Sequence, residues 1–210
     1  MTTIARRGVC LVLAAPSGAG KTAITDALLA QESELRRSVS VTTRAPRPYE
    51  VDGVHYHFLT EDRFAAAEAA GELLEWARVL QGTHAYGTPR GPVERTLGAG
   101  QDLVFDIDWQ GHRAMRAKLP ADVVGVFILP PSLAALRARL TGRAGDTADE
   151  ITRRMAVARD EISHWAEFDH VVVNDDLSTA IAEVRAILHA ARLVRTRRTG
   201  LPEFVASLGV

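Results

Sequence analysis

Four short apolar runs, each leading into a stretch whose apolar positions recur at helical spacing, organise most of the chain. Val9 to Ala14 precedes Thr22 to Gln31, in which Ile24, Leu28 and Leu29 fall on one helical face. Leu103 to Ile107 precedes Gly111 to Lys118, Val123 to Leu129 precedes Ser132 to Arg143, and Val171 to Val173 precedes Leu177 to Leu193. Short runs that are apolar throughout suit strands covered on both faces. Their alternation with helices predicts an α/β fold built on a parallel sheet flanked by helices. Ser132 and Asp176 stand just ahead of the last two periodic stretches, where N-caps belong.

Between the first helix and Leu103 the pattern changes to short alternating segments, Ser38 to Thr43, His55 to Leu59 and Leu73 to Arg78, with one helix over about 61–70. This predicts an inserted, mostly antiparallel subdomain. The polar, glycine-containing stretch Gly142 to Asp149, between two arginine-rich helices, predicts a second insertion able to act as a lid. The basic tail after Leu193 reads as a solvated end.

Composition narrows the function. The chain has 210 residues, 47% of them hydrophobic, with a net charge of −1. No global positive field is available for sequence-blind binding to nucleic acid or to an anionic membrane, so any anion must be held locally. No apolar stretch reaches the 18 or so residues needed to span a bilayer. Cys10 is the single cysteine, which excludes an internal disulfide and fits a reducing cytoplasm. Within its apolar run it reads as core filler. Nothing separates a monomer from a homodimer.

Only Lys21 and Lys118 among the 25 basic residues are lysine. Lys21 lies in APSGAGKT, residues 15–22, which matches the phosphate-loop pattern G-x-x-x-x-G-K-[ST] at every position except Ala15. Chance placement of one of two lysines there has odds on the order of one in a hundred. Such a loop turns consecutive backbone N–H groups onto phosphate oxygens, and the helix behind it adds the positive end of its dipole. Gly18 and Gly20 permit positive φ and keep side chains off the anion, Lys21 reaches the terminal phosphates, and the Thr22 hydroxyl can ligate Mg²⁺. Residues Ala15, Pro16, Ser17, Gly18, Ala19, Gly20, Lys21 and Thr22 are therefore the candidate ATP-phosphate site. The first position mainly turns the chain out of the strand, so a methyl group at Ala15 is expected to be tolerated if its φ is negative. Asp106 closes a strand where a carboxylate can face the loop and hold a metal-bound water, with Asp108 two residues on; an ordinary strand-end turn reads equally well.

Separated motifs then agree with one family. SVSVTTRAPRPYEVDGVHYHF at 38–58, ELLEWA at 72–77, YGTP at 86–89, DIDWQG at 106–111, LRARLTGR at 136–143 and VVVNDD at 171–176 resemble the guanylate kinases from about Val9 to Ile187. Members with alanine at the position of Ala15 occur. The resemblance implies the P-loop nucleoside monophosphate kinase fold: a core of 1–37 and 97–210, an inserted GMP-binding subdomain over 38–96 and a helical lid over 138–160. It implies ATP and GMP as substrates, with Mg²⁺ accompanying ATP. Arg44, Arg47, Tyr56 and Tyr86 are implied around the GMP phosphate, where guanidinium forks and phenol hydroxyls suit a dianion. Ser40, Glu75, Thr88 and Asp108 are implied around guanine, whose N1–H and amine a carboxylate at Glu75 can accept. In the lid, Arg139, Arg143 and Arg154 are implied to close on the migrating phosphoryl group, and Asn174 matches a position near the adenine. On spacing alone, Arg44 and Arg47 are solvated loop arginines, Glu75 an exposed strand glutamate and the lid arginines helix-surface residues. The loop between Trp76 and Gly87 is about two residues longer than the family pattern, and His84 within it has no assigned task. Two alternatives stand beside this reading, a ribose 1,5-bisphosphate phosphokinase of the same superfamily and a non-catalytic guanylate-kinase-like protein-binding module.

Overall fold

In the computed structural model, which describes residues 4–79, 83–141 and 147–209, the apolar run at the start becomes the central strand β1 (Cys10–Ala14). Every residue of β1 is buried, and its side chains alternate between two packed layers. Leu11 and Leu13 enter a cluster with Ile24 and Leu28 of α1 (Lys21–Gln31) and with Val184 and Leu188 of a helix near the C-terminal end. Cys10 and Val12 enter another with Leu103, Phe105 and Met115. Each such side chain, fully removed from water, contributes roughly 1.5–3 kcal/mol.

The chain then runs through β2 (Leu35–Arg37), β3 (Val41–Thr42), β4 (His57–Phe58), α2 (Glu61–Ala69), β5 (Leu73–Val79), β6 (His84–Pro89) and α3 (Arg90–Gly98). It returns through β7 (Asp102–Asp106), α4 (Trp109–Lys118), β8 (Val123–Leu129), α5 (Leu133–Thr141), α6 (Ala148–Ser163), β9 (His170–Val173), α7 (Leu177–Arg192) and α8 (Leu201–Ser207). One sheet is parallel throughout, in the order β2-β7-β1-β8-β9. Strand order reverses on either side of β1, and the loops at its C-terminal edge there form the natural ligand crevice of an open α/β sheet. The second sheet, β4-β3-β6-β5, has two antiparallel pairings and one parallel pairing, so the predicted insertion is mostly antiparallel.

Ser132 and Asp176 act as caps, accepting from the N–H of Ala135 and Thr179. Several features depart from the sequence reading. The strand over Ser38 to Thr43 shortens to Val41–Thr42 because the Ser38 N–H still bonds to Val104 of the parallel sheet, leaving 38–40 as the crossing between sheets. Strands β2 and β6 and helices α3 and α8 are additions to the expected elements. Only Leu35 of β2 is buried, and Gly91 and Pro92 hide the helical character of α3, whose Val93 and Leu97 pack into the main core.

The tail departs in one respect: Leu193 to Thr196 and most of α8 are exposed, as expected of a solvated end, but Arg197 anchors the segment to the body of the protein. Arg197 is buried, donates to the Gly8 carbonyl at 3.2 Å and lies 3.7 Å from Asp122. Arg192 joins Glu32 and the fully buried Asp102. These two arginines neutralise carboxylates at the end of the sheet opposite the crevice. Among the described residues, no helix is long and apolar enough to cross a membrane.

Candidate active site

The loop between β1 and α1 wraps a cavity of about 730 Å³ lined by Ala15, Pro16, Ser17, Gly18, Gly20, Lys21 and Thr22, with Arg139 and Glu161 at its edge. Ala15 packs against the core cluster of β1, so its methyl group faces protein while its backbone turns out of the strand. Ala19 is buried with that cluster, and its N–H closes a turn onto Pro16 at 3.0 Å. Gly18 and Gly20 hold φ of 92° and 99°, the left-handed region that glycine enters without strain. At Gly20 there is a second constraint. A Cβ there would stand 2.2 Å from Nδ2 of Asn174, the amide that donates to the Ala19 carbonyl at 2.7 Å. Asn174 is buried beneath the loop as a brace, and its own carbonyl accepts from Arg139 at 3.0 Å.

The parallel register sets Asp106, at the end of β7, opposite Leu13. Its carboxylate pairs with the Lys21 ammonium. Asp106 thus faces the loop, and the Thr22 hydroxyl lies exposed at the first turn of α1.

Helix α6 also reaches the loop. Arg154 donates to the Ser17 hydroxyl at 3.2 Å, while Glu161 accepts the Ser17 N–H. Burial pushes the Glu161 carboxyl up, against the pull of that N–H and of Lys21. Residues 142–146, which include Arg143 and most of the polar stretch expected as a lid, lie outside the described residues, as do 80–82 of the loop between Trp76 and Gly87.

A second cavity, of about 280 Å³, opens between the two sheets. Ser40, Tyr56, Glu75, Tyr86, Asp106 and Asp108 line it. Asp106 therefore belongs to this wall and, through its bond to Lys21, to the first cavity. Glu75 accepts the hydroxyl of Thr88 at 2.5 Å, from its cross-strand partner on β6. Burial pushes its carboxyl up, and the Thr88 bond opposes the rise. Thr88 is itself fully buried and sits behind Glu75, outside the cavity wall. Asp108 caps α4 by accepting from Gly111 at 2.8 Å.

Arg44 reaches this cavity by way of Tyr86, donating from Nε to the phenol oxygen at 3.2 Å, with its guanidinium carbon 5.6 Å from the Tyr56 ring centre. Arg47 is exposed and donates to the Tyr49 hydroxyl at 3.0 Å. The structure thus gathers Ser40, Tyr56, Glu75, Tyr86 and Asp108 in one wall, joins Arg44 to it through Tyr86, and leaves Arg47 outside the wall. It adds residues the sequence reading passed over: Glu161, Gln110 in the second cavity, and Glu50, which holds Arg44. Glu161 sits among the charged residues of an amphipathic helix, where nothing in the spacing sets it apart.

Comparisons with known proteins place the chain in a family. The family model described as guanylate kinase matches residues 7–191. The guanylate kinase of Gluconobacter oxydans (strain 621H) is 60% identical over 207 residues, covering 99% of each chain. That of Granulibacter bethesdensis is 58% identical over 98% of this chain and 95% of its own. The crystal structure of guanylate kinase from Anaplasma phagocytophilum superposes with a TM-score of 0.75 at 33% identity, covering 98% of this chain and 97% of that one. Matched across most of its length by the family model and nearly end to end by these relatives, the chain belongs to the guanylate kinase family.

Proposed function

We propose that the chain transfers the γ-phosphoryl group of ATP to GMP, and also to dGMP, giving ADP and the nucleoside diphosphate. The observation that carries this reading is the junction at Lys21 and Asp106, where a phosphate loop and a carboxylate-lined pocket meet. Both substrates are anions, and the attacking oxygen already belongs to a phosphate. Catalysis then consists of bringing two phosphates in line, neutralising their charge and excluding water.

On this reading the ATP phosphates lie on the backbone N–H groups of Gly18 to Thr22, with Lys21 on the terminal pair. Asn174 serves them from beneath by bracing Ala19. Arg139, Arg143 and Arg154 neutralise the migrating group, and the lid over 138–160 and the insertion over 38–96 close to shut out water. Guanine sits against Glu75, Ser40 and Asp108, with Thr88 fixing the Glu75 carboxylate rather than touching the base. Tyr86 accepts from Arg44 and so keeps its own proton for the GMP phosphate. Arg44, Arg47 and Tyr56 complete that phosphate's surroundings.

Thr22 and Asp106 supply a hydroxyl and a carboxylate, the hard oxygen donors that Mg²⁺ takes. Among the described residues no group of three His, Cys, Asp or Glu forms a metal cage. A pair of this kind suits an ion that completes its shell from phosphates and water. When bound, Mg²⁺ would offset charge on the donor phosphates.

The test is ADP release with GMP, dGMP, AMP and ribose 1,5-bisphosphate offered as acceptors. Turnover confined to the two guanine nucleotides is expected. Turnover with ribose 1,5-bisphosphate alone would assign the chain to the phosphokinase alternative. Tight GMP binding with no ADP release from any acceptor would leave a binding module.

A further inference from the structure

Glu50 holds a place that the phosphotransfer reading does not explain. Its side chain is 5% exposed, beside a cluster of cations built to receive an anion, where a carboxylate would ordinarily compete. Oε1 accepts from Nη2 of Arg44 at 2.8 Å, and Oε2 accepts the Arg47 N–H at 2.8 Å. The Glu50 N–H returns to the Arg47 carbonyl at 2.9 Å, which closes the turn that carries Arg47. One side chain therefore grips both arginines, one by its guanidinium and the other by its backbone.

Arg44 is held on two other sides, by the Tyr86 hydroxyl on Nε and by the Ala45 carbonyl on Nη1 at 2.8 Å. Of its five N–H groups three are engaged, which leaves one on each terminal nitrogen. A guanidinium so held has little rotational freedom left to lose when an oxyanion arrives, which is the benefit of preorganisation.

We propose that Glu50 is a positioning residue for the acceptor phosphate: it fixes the Arg44 fork and the Arg47 turn so that both meet the dianion already aligned. This rests on the reading of GMP as acceptor. The Arg44 and Arg47 donors hold the Glu50 carboxyl at about 2, so it stays charged wherever the enzyme would be assayed.

Two effects of removing the charge have opposite signs, and this makes the inference testable. A carboxylate that only dilutes positive charge would, on replacement by Gln, leave GMP bound more tightly. A carboxylate that positions would leave it bound more weakly. For Glu50→Gln we expect the KM for GMP to rise roughly tenfold, the scale of one misaligned charge-assisted bond, with the KM for ATP unchanged. Glu50→Asp should recover part of the loss. Titration calorimetry with guanosine, which lacks the phosphate, should give the same affinity in parent and variant, whereas general damage to the subdomain would weaken guanosine too. An unchanged or lowered KM for GMP, or equal losses for guanosine and GMP, would overturn the proposal. The parent enzyme in the same assay reports separately on whether GMP is the acceptor.

Discussion

Replacing Gly20 by alanine is the sharpest probe of the phosphate loop, because the geometry assigns its cost to two separate causes. Gly20 holds φ at 99°, and an alanine there carries left-handed strain of about 1–2 kcal/mol. Its Cβ would also stand 2.2 Å from the Asn174 amide, which must move and release the Ala19 carbonyl. Both groups are buried, and leaving one such group unsatisfied costs about 1–3 kcal/mol. Gly20→Ala should therefore lose about 2–5 kcal/mol of stability. Asn174→Ala alone should lose about 1–3 kcal/mol, since it abandons the same carbonyl. In the double variant that loss occurs once, so the combined effect should fall short of the sum by about 1–3 kcal/mol. Urea unfolding of all four proteins measures the coupling. Additivity within about 0.5 kcal/mol would show that Gly20 and Asn174 do not compete for the same space, and the bracing account of the loop would be wrong.

Other variants test other parts of the site. Lys21→Ala should abolish ADP release while leaving GMP affinity nearly intact, because the lysine serves the donor; comparable kinetics in variant and parent would refute that role. Glu75→Gln should mainly damage the choice between GMP and AMP, since the amide can no longer accept from both N1–H and the amine of guanine; an unchanged ratio of kcat/KM for the two would remove the account of specificity. His112 is 1% exposed, stacks on Phe168 with ring centres 4.0 Å apart, and has neither ring nitrogen bonded among the described residues. Burial, with Arg116 adding to it, pushes its imidazole down to about 4. The unfolded chain, titrating near 6.5, then binds the extra proton, so stability is full above about 6.5 and falls as pH drops toward about 4, by on the order of 3 kcal/mol. His112→Leu should flatten that part of the stability profile, and an unchanged slope would reject the assignment.

The legible parts of this molecule were those whose burial leaves a pattern in the chain. Strands β1, β7 and β8 read correctly because they are covered on both faces and so are apolar at nearly every position. Strand β2 did not, since an edge strand with Arg36 and Arg37 in solvent looks like a charged turn. The loop Gly18 to Thr22 was readable because backbone donors demand glycine, and few other residues can stand in. The tail misled because buried arginine and solvated arginine are the same letter. What separates them here is Asp122 and Gly8, nearly two hundred positions away in part, and spacing does not report such partners. Glu50 escaped for the same reason, its function being to hold other side chains. Glu75 and Thr88 could be named only through resemblance, because their bond depends on the pairing of β5 with β6.

The scarcity of lysine has a practical side. Nζ of Lys118 donates to the Leu73 carbonyl at 2.7 Å, and Lys21 stands against Asp106 in the loop cavity, the proposed donor cavity. Apart from the terminal amine, acylating reagents therefore meet two lysine side chains, one of them at the proposed donor site. Peptide masses taken after brief acetylation, with and without ATP, would read occupancy of the donor cavity directly, with Lys118 as the built-in reference.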